Sequence, residues 1–172
     1  MIRITEKLLN EVSEKAKSSI RKRTNHNFHE SYDDPLQRFL NAVEPESYLQ
    51  PHKHENPDKT EIFLILRGRV LIVEFDEIGK IMDHFVLDSK AGNVGVEIPS
   101  GTWHSFIALQ EGSVLYEIKE GPFIQETGKT AASWAPEEGT REAIEFNQRI
   151  LQELNLETKS GVRKSFHKAS PN

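Results

Sequence analysis

Apolar residues recur along this chain with two different periods. Between Thr5 and Ser18, Leu8, Leu9, Val12 and Ala16 fall three and four residues apart among Glu and Lys, which predicts an amphipathic helix. The following RKRTNHNFHESYDDP has no apolar period and is rich in Asn, Asp and His, so it reads as a loop. After Pro35 the period drops to two. QRFLNAV, ESYLQPHKH, EIFLILRGRVLIVEFD, IMDHFVLD, NVGVEIP, WHSFIAL and SVLYEIKEG are short runs rich in β-branched and aromatic residues, separated by Gly, Pro and Asn turn signals. A polar stretch with Pro122 and Pro136 then leads into Arg141–Leu154. There Ile144, Ile150, Leu151 and Leu154 predict a second helix, capping one end of a barrel or packing on a second subunit.

Seven or so short strands at this spacing predict a mainly β sandwich or barrel with a helix at each end. The expected organisation is an N-terminal helix and polar segment over 1–35, a barrel over 36–122, a C-terminal extension with a helix over 123–156, and a disordered basic tail over 157–172.

Composition narrows the class. A chain of 172 residues suits one domain, and 36% hydrophobic with 28% charged residues fits a globular protein. The net charge of -5 is uneven, because residues 157–172 carry four Lys/Arg against one Glu. The remaining 156 residues hold 18 basic and 26 acidic side chains, and such an acidic body argues against nucleic acid as a partner. No apolar run approaches the ~20 residues that cross a bilayer, and the N-terminal sequence lacks a secretory signal pattern. With no cysteine, any metal must be held by nitrogen and oxygen. A cytoplasmic protein with no membrane partner is expected.

The chemistry concentrates in PHKHENPDKTEIFLILRG, residues 51–68. On a strand His52 and His54 share a face, roughly 6.5 to 7 Å apart. A six-residue loop then returns the chain as a strand opened by Glu61, which can sit beside both histidines. Further on, Pro99 and Gly101 make a turn in EIPSGTWHSFIAL, and His104 opens the next strand. Across a barrel lumen it can face the first hairpin. Three imidazoles and a carboxylate suit divalent Fe, Mn, Co, Ni or Zn, and the ligand types do not choose among them. An HxH pair alone is a weak signal, but the ordered set on separate strands of one barrel is far stronger.

These residues resemble the two cupin motifs. His52, His54, Glu61 and Gly68 match the first, and Pro99, Gly101 and His104 match the second. The match departs in having Glu46 for the opening glycine, six residues between His54 and Glu61, Gly92 one residue early, and Ala108 for the final Asn. The long gap leaves Glu55 and Asp58 as competing carboxylates, whereas the intact Glu-x6-Gly strand favours Glu61. NHNFHESYDDPLQRFLNA, PHKH, VGVEIPSGTWHSFIAL, VLYEIKEGPF and WAPEEG are similar to the WbuC family of cupin fold metalloproteins, over roughly residues 1 to 155. That resemblance implies a cupin-type double-stranded β-helix, or jelly-roll barrel, with a divalent metal. It implies unsettled activity on or toward a small carbohydrate-related ligand of bacterial O-antigen or surface polysaccharide synthesis, and pairing as a homodimer.

Isomerase or epimerase chemistry is one expectation from such a site. Non-catalytic metal-dependent binding or regulation, and iron-dependent dioxygenation, are the alternatives. Several residues are candidates for supporting roles. Asn27 and His29 either fold over the barrel mouth to meet a ligand or make an Asn-bonded turn. Arg38 meets an anionic substrate or pairs with Asp33 or Asp34. Glu97 is a candidate general base if it faces the lumen rather than solvent. Tyr48 shares a strand face with His52 and can line the same pocket. His84 reads as a surface residue, and Trp103 and Trp134 as packing residues.

Overall fold

The computed structural model describes residues 1–124 and 128–158. The expectation for the basic tail falls outside these residues, except at Glu157 and Thr158. The chain folds as helix α1 (Glu6–Ser18), strands β1 (Arg23–Asn27), β2 (Leu36–Val43), β3 (His52–Lys53), β4 (Glu61–Arg67), β5 (Arg69–Phe75), β6 (Ile81–Asp88), β7 (Gly95–Ile98), β8 (Trp103–Ala108), β9 (Ser113–Glu120) and β10 (Thr130–Ala131), then helix α2 (Arg141–Glu153).

Two five-stranded antiparallel sheets result, in the orders β1-β2-β9-β4-β7 and β10-β3-β8-β5-β6. From β2 to β9 the chain changes sheet at every connection except the β5–β6 hairpin, which is the connectivity of a jelly roll. The inner faces meet in a core of Val43, Phe63, Ile65, Val70, Ile72, Leu87, Ile98, Phe106, Ala108 and Leu115. Phe63 and Phe106 close this core on the side of a large cavity, which they also line.

Thr5 caps α1, its hydroxyl accepting from Leu8 N at 3.3 Å. The buried stripe Leu9, Val12 and Ala16 packs on Leu40, Ala42 and Val114, on the outer face of the first sheet. The second helix packs along a sheet face rather than over the barrel end, and leaves Ile144 exposed. Its Ile150 joins Leu71, Val73, Phe75, Trp103 and Ile107 on the outer face of the second sheet, with Phe146, Leu151 and Leu154 beside them. That sheet face is apolar at alternate positions, so it needs such a cover. Trp103 and Trp134 pack there with ring centroids 6.0 Å apart, as expected of packing residues.

Two expectations are corrected. The segment after α1 is not all loop, since RTNHN forms the edge strand β1, paired Arg23↔Val43 through Asn27↔Phe39. An edge strand held by backbone bonds to one neighbour needs no apolar alternation, so its polar sequence hid it. Of ESYLQPHKH only His52–Lys53 is strand. The β4–β5 turn rests on Gly68 (φ 80°), where an added Cβ would lie 2.3 Å from Ser113 Oγ.

Candidate metal centre

Strand pairing assembles the site. In the second sheet β3 lies against β8 with His52 opposite His104, and His54 follows just beyond β3. In the first sheet Glu61 opens β4 opposite Lys119 of β9. The two sheets face each other, so Glu61 meets the three imidazoles across the barrel mouth. All four side chains are at least nine-tenths buried, and their candidate ligand atoms lie within 4.8 Å of one another. They form a buried group that could hold a metal ion. Glu55 instead pairs with Lys53 at 3.1 Å, and Asp58 is exposed.

Each imidazole turns Nδ1 to a backbone carbonyl: His52 to Gln50 O (3.1 Å), His54 to Gly128 O (2.5 Å) and His104 to Thr102 O (2.9 Å). Nδ1 therefore carries a proton, and Nε2 is the nitrogen left for the centre, the arrangement typical of metal-binding histidines. His54 Nε2 faces Glu61 Oε1 at 3.0 Å and is buried with no hydrogen-bond partner among the described residues. His104 Nε2 lies 2.9 Å from Glu61 Oε2. With oxygens at both nitrogens, His104 needs two protons, or one proton and a cation beside Nε2. The donor set and the inward lone pairs fit a divalent first-row ion, and no sulfur donor is present.

The electrostatics agree. Burial would raise the Glu61 carboxyl, but the charge of Lys119 and the imidazoles of His104 and His54 beside it outweigh this and hold it well below the usual range. Burial drives His52 well below its ordinary value, and the neighbouring His104 adds to this. Burial also opposes the His104 cation, yet its bond to Glu61 and that group's charge leave it raised. Crowding three imidazolium charges here would be costly, whereas neutral imidazoles around one cation would not.

Beside the cluster lies a cavity of about 460 Å³, lined in part by Asn41, Glu117, Lys119 and Lys129. Lys119 Nζ sits 3.0 Å from Glu61 Oε1 and 3.9 Å from Glu117 Oε1. Burial would lower the Lys119 ammonium, but the charges of Glu61 and Glu117 outweigh this and raise it. Glu117 is buried, and Asn41 Nδ2 donates to its Oε2 at 3.0 Å. Burial, reinforced by the charge of Glu61, pushes its carboxyl up to about 7. Sequence reasoning missed Asn41, Glu117 and Lys119. The available signal was strand alternation, because Leu115, Glu117 and Lys119 share one face of β9 and Leu115 lies in the core.

The other candidates lie apart from the cluster. Tyr48 donates its hydroxyl to Pro136 O at 2.8 Å and packs its ring edge-on against Phe146, toward α2. Glu97 is exposed opposite Ile62, whose neighbour Glu61 points the other way into the mouth. Arg38 is half-buried, its guanidinium donating to the carbonyls of Leu36 and Phe28. His84 is exposed. Asn27 and His29 line a second, smaller cavity next to the first.

Beyond the added edge strands β1 and β10, the first sheet reads β2-β9-β4-β7 and the second β3-β8-β5-β6, with the His and Glu cluster at one mouth. The fold is a cupin-like jelly-roll sandwich. The family model described as Domain of unknown function (DUF6016) matches residues 4–87, from α1 into β6 and just short of half the chain. No curated protein matches this chain in sequence. Among solved structures, KdgF from a Halomonas species is 15% identical, with 60% of this chain and 82% of that chain covered and a TM-score of 0.45. A cupin superfamily protein of Desulfitobacterium hafniense is also 15% identical, covering 57% and 76% with a TM-score of 0.43. The capsular polysaccharide assembling protein CapF of Staphylococcus aureus is 20% identical, covering 57% of this chain but 26% of its own, with a TM-score of 0.48.

Proposed function

We propose that this protein is a divalent-metal-dependent cupin that binds and acts on a small anionic, carbohydrate-related molecule. The observation that carries the reading is the arrangement around Glu61. Nε2 of His54 and of His104 both converge on this one carboxylate while each Nδ1 is committed to a carbonyl. A divalent ion there would polarise a ligand carbonyl or hydroxyl, or acidify a bound water.

The remaining chemistry belongs to the chain. Lys119 fixes Oε1 of Glu61 and adds positive charge to the cavity wall. Together with Lys129, also in that wall, it favours an anionic ligand. Glu117 is poised near neutrality, so it can accept or return a proton at a carbon or hydroxyl held in the cavity. Asn41 orients that carboxyl by bonding one of its oxygens. Proton movement beside a polarised carbonyl is what an isomerase or epimerase requires. The likeness to the WbuC family extends the proposal to a cytoplasmic homodimer serving surface polysaccharide synthesis.

Elemental analysis of purified protein beside the His52→Ala/His104→Ala double variant tests the reading, followed by calorimetric titration of the metal-loaded wild type with galacturonic acid. About one divalent ion per chain, lost in the double variant, together with measurable sugar binding, is the expected result. A wild type that takes up no divalent metal after reconstitution overturns the metal site.

A further inference from the structure

The second cavity, of about 270 Å³, is lined by Asn27, His29 and Tyr32, and shares Asn25, Phe39, Lys119 and Phe123 with the metal-side cavity. The two cavities therefore adjoin at Phe39 and Lys119.

His29 is the informative residue, at 8% exposure. The Arg38 amide N–H donates to its Nδ1 at 3.1 Å, and the Arg38 carbonyl at a similar distance already accepts from Phe28 N at 2.8 Å. Nδ1 is thus an acceptor, which puts the ring proton on Nε2. That Nε2 is buried and has no partner among the described residues. Burying an unpaired N–H is unfavourable, and such a group in a cavity wall is a donor awaiting an acceptor. The rings around it are Tyr32 and Phe39, each with its centroid 6.2 Å away, and Tyr32 leans on Phe123 at 5.2 Å. Tyr32 is 61% exposed, so its ring forms the outer wall of this cavity and leaves the cavity open to a ligand from solvent. Aromatic faces, Asn amides and one unsatisfied donor suit a polyhydroxylated ring better than a purely apolar one.

We infer that the second cavity takes the second ring of an anionic oligosaccharide whose first ring lies beside the metal cluster, with His29 Nε2 donating to an oxygen of that second ring. This rests on the reading of the first cavity as a site for an anionic sugar. It makes the ligand at least two units long and gives the polar segment after β1 a recognition role.

The experiment is calorimetric titration of metal-loaded protein with galacturonic acid and with digalacturonic acid, in the wild type, His29→Phe and Tyr32→Ala. Tyr32 is exposed, so its variant preserves the test if His29→Phe does not fold. The disaccharide is expected to bind the wild type at least about tenfold tighter, a ratio falling toward one in the variants. Equal affinity for the two sugars in the wild type, or a ratio kept in both variants, overturns the second subsite and leaves the first reading standing. Binding of neither sugar by protein that holds its metal overturns the ligand class of both.

Discussion

The ammonium of Lys119 lies 3.0 Å from Oε1 of Glu61, the same oxygen that faces His54 Nε2. The carboxylate at the centre of the cluster is therefore held from two sides, by histidines of one sheet and by a lysine directly opposite it on the neighbouring strand of its own sheet. One buried carboxylate thus compensates several positive groups. What happens when one of them is removed follows from that.

Lys119→Met leaves the Glu61 charge buried without its ammonium. Removing one member of a buried pair is costly, and here a loss of about 3 kcal/mol is expected in the metal-free protein. A bound divalent cation supplies the missing positive charge, so metal should restore part of the loss. Thermal unfolding with and without added manganese should show a larger metal-induced rise in Tm for the variant than for the wild type. An equal rise in both would mean that Lys119 does not share Glu61 with the centre.

Glu97→Gln is expected to do almost nothing. The residue lies exposed on the outer sheet face, opposite Ile62, so stability should stay within about 0.5 kcal/mol of wild type. Metal content and galacturonic acid affinity should be unchanged. A large loss of sugar affinity would show that this face also meets the ligand.

The metal candidates were legible because their chemistry and their strand positions coincide. HxH at the end of one short strand, Glu opening the return strand and His after a Pro-Gly turn are brought together in space in the order the sequence suggests. Glu117 and Lys119 were not legible in the same way. Two charges alternating toward the end of β9 look like a solvated face, and only the closure of the barrel turns that face inward. The carbonyl of Gly128, which orients His54, comes from 74 residues away, and no local pattern announces it. Arg23–Asn27 was missed because an edge strand paired to a single neighbour carries no apolar alternation. The fold followed from periodicity, whereas the second half of the site depended on which strand lay next to which.

Gly68→Ala should destabilise the fold by at least about 2 kcal/mol. The backbone there has φ 80°, and the new Cβ would press on Ser113, 2.3 Å from Oγ and 2.9 Å from Cα. Ser113 cannot easily yield, since its hydroxyl donates to the Gln110 carbonyl at 2.6 Å and accepts from Arg69 N at 3.1 Å. The β4 strand that this turn anchors carries Glu61, so metal affinity should weaken along with stability. Urea unfolding and metal titration read the two effects. A variant as stable as wild type would mean that the turn relaxes without strain.

The pH dependence of stability should carry the signature of Glu117. Its carboxyl is pushed up to about 7 in the folded protein, mainly by burial, from an ordinary value of 4.5. Below about 4.5 both folded and unfolded chains hold this proton, and its stabilising effect is fully present. Between there and about 7 the folded protein binds a proton that the unfolded chain has released, so stability falls as pH rises. Above about 7 both forms are ionised and the contribution levels off. Other groups titrate in the same window, so the informative quantity is the difference between the metal-free wild type and Glu117→Gln, whose side-chain oxygen can still accept from Asn41. That difference should fall by on the order of 3 kcal/mol between pH 4.5 and 7.5 and then flatten. Urea unfolding at half-unit pH steps measures it. A difference that stays constant, or grows with pH, would mean that Glu117 is ionised throughout and cannot serve as a proton carrier near neutrality.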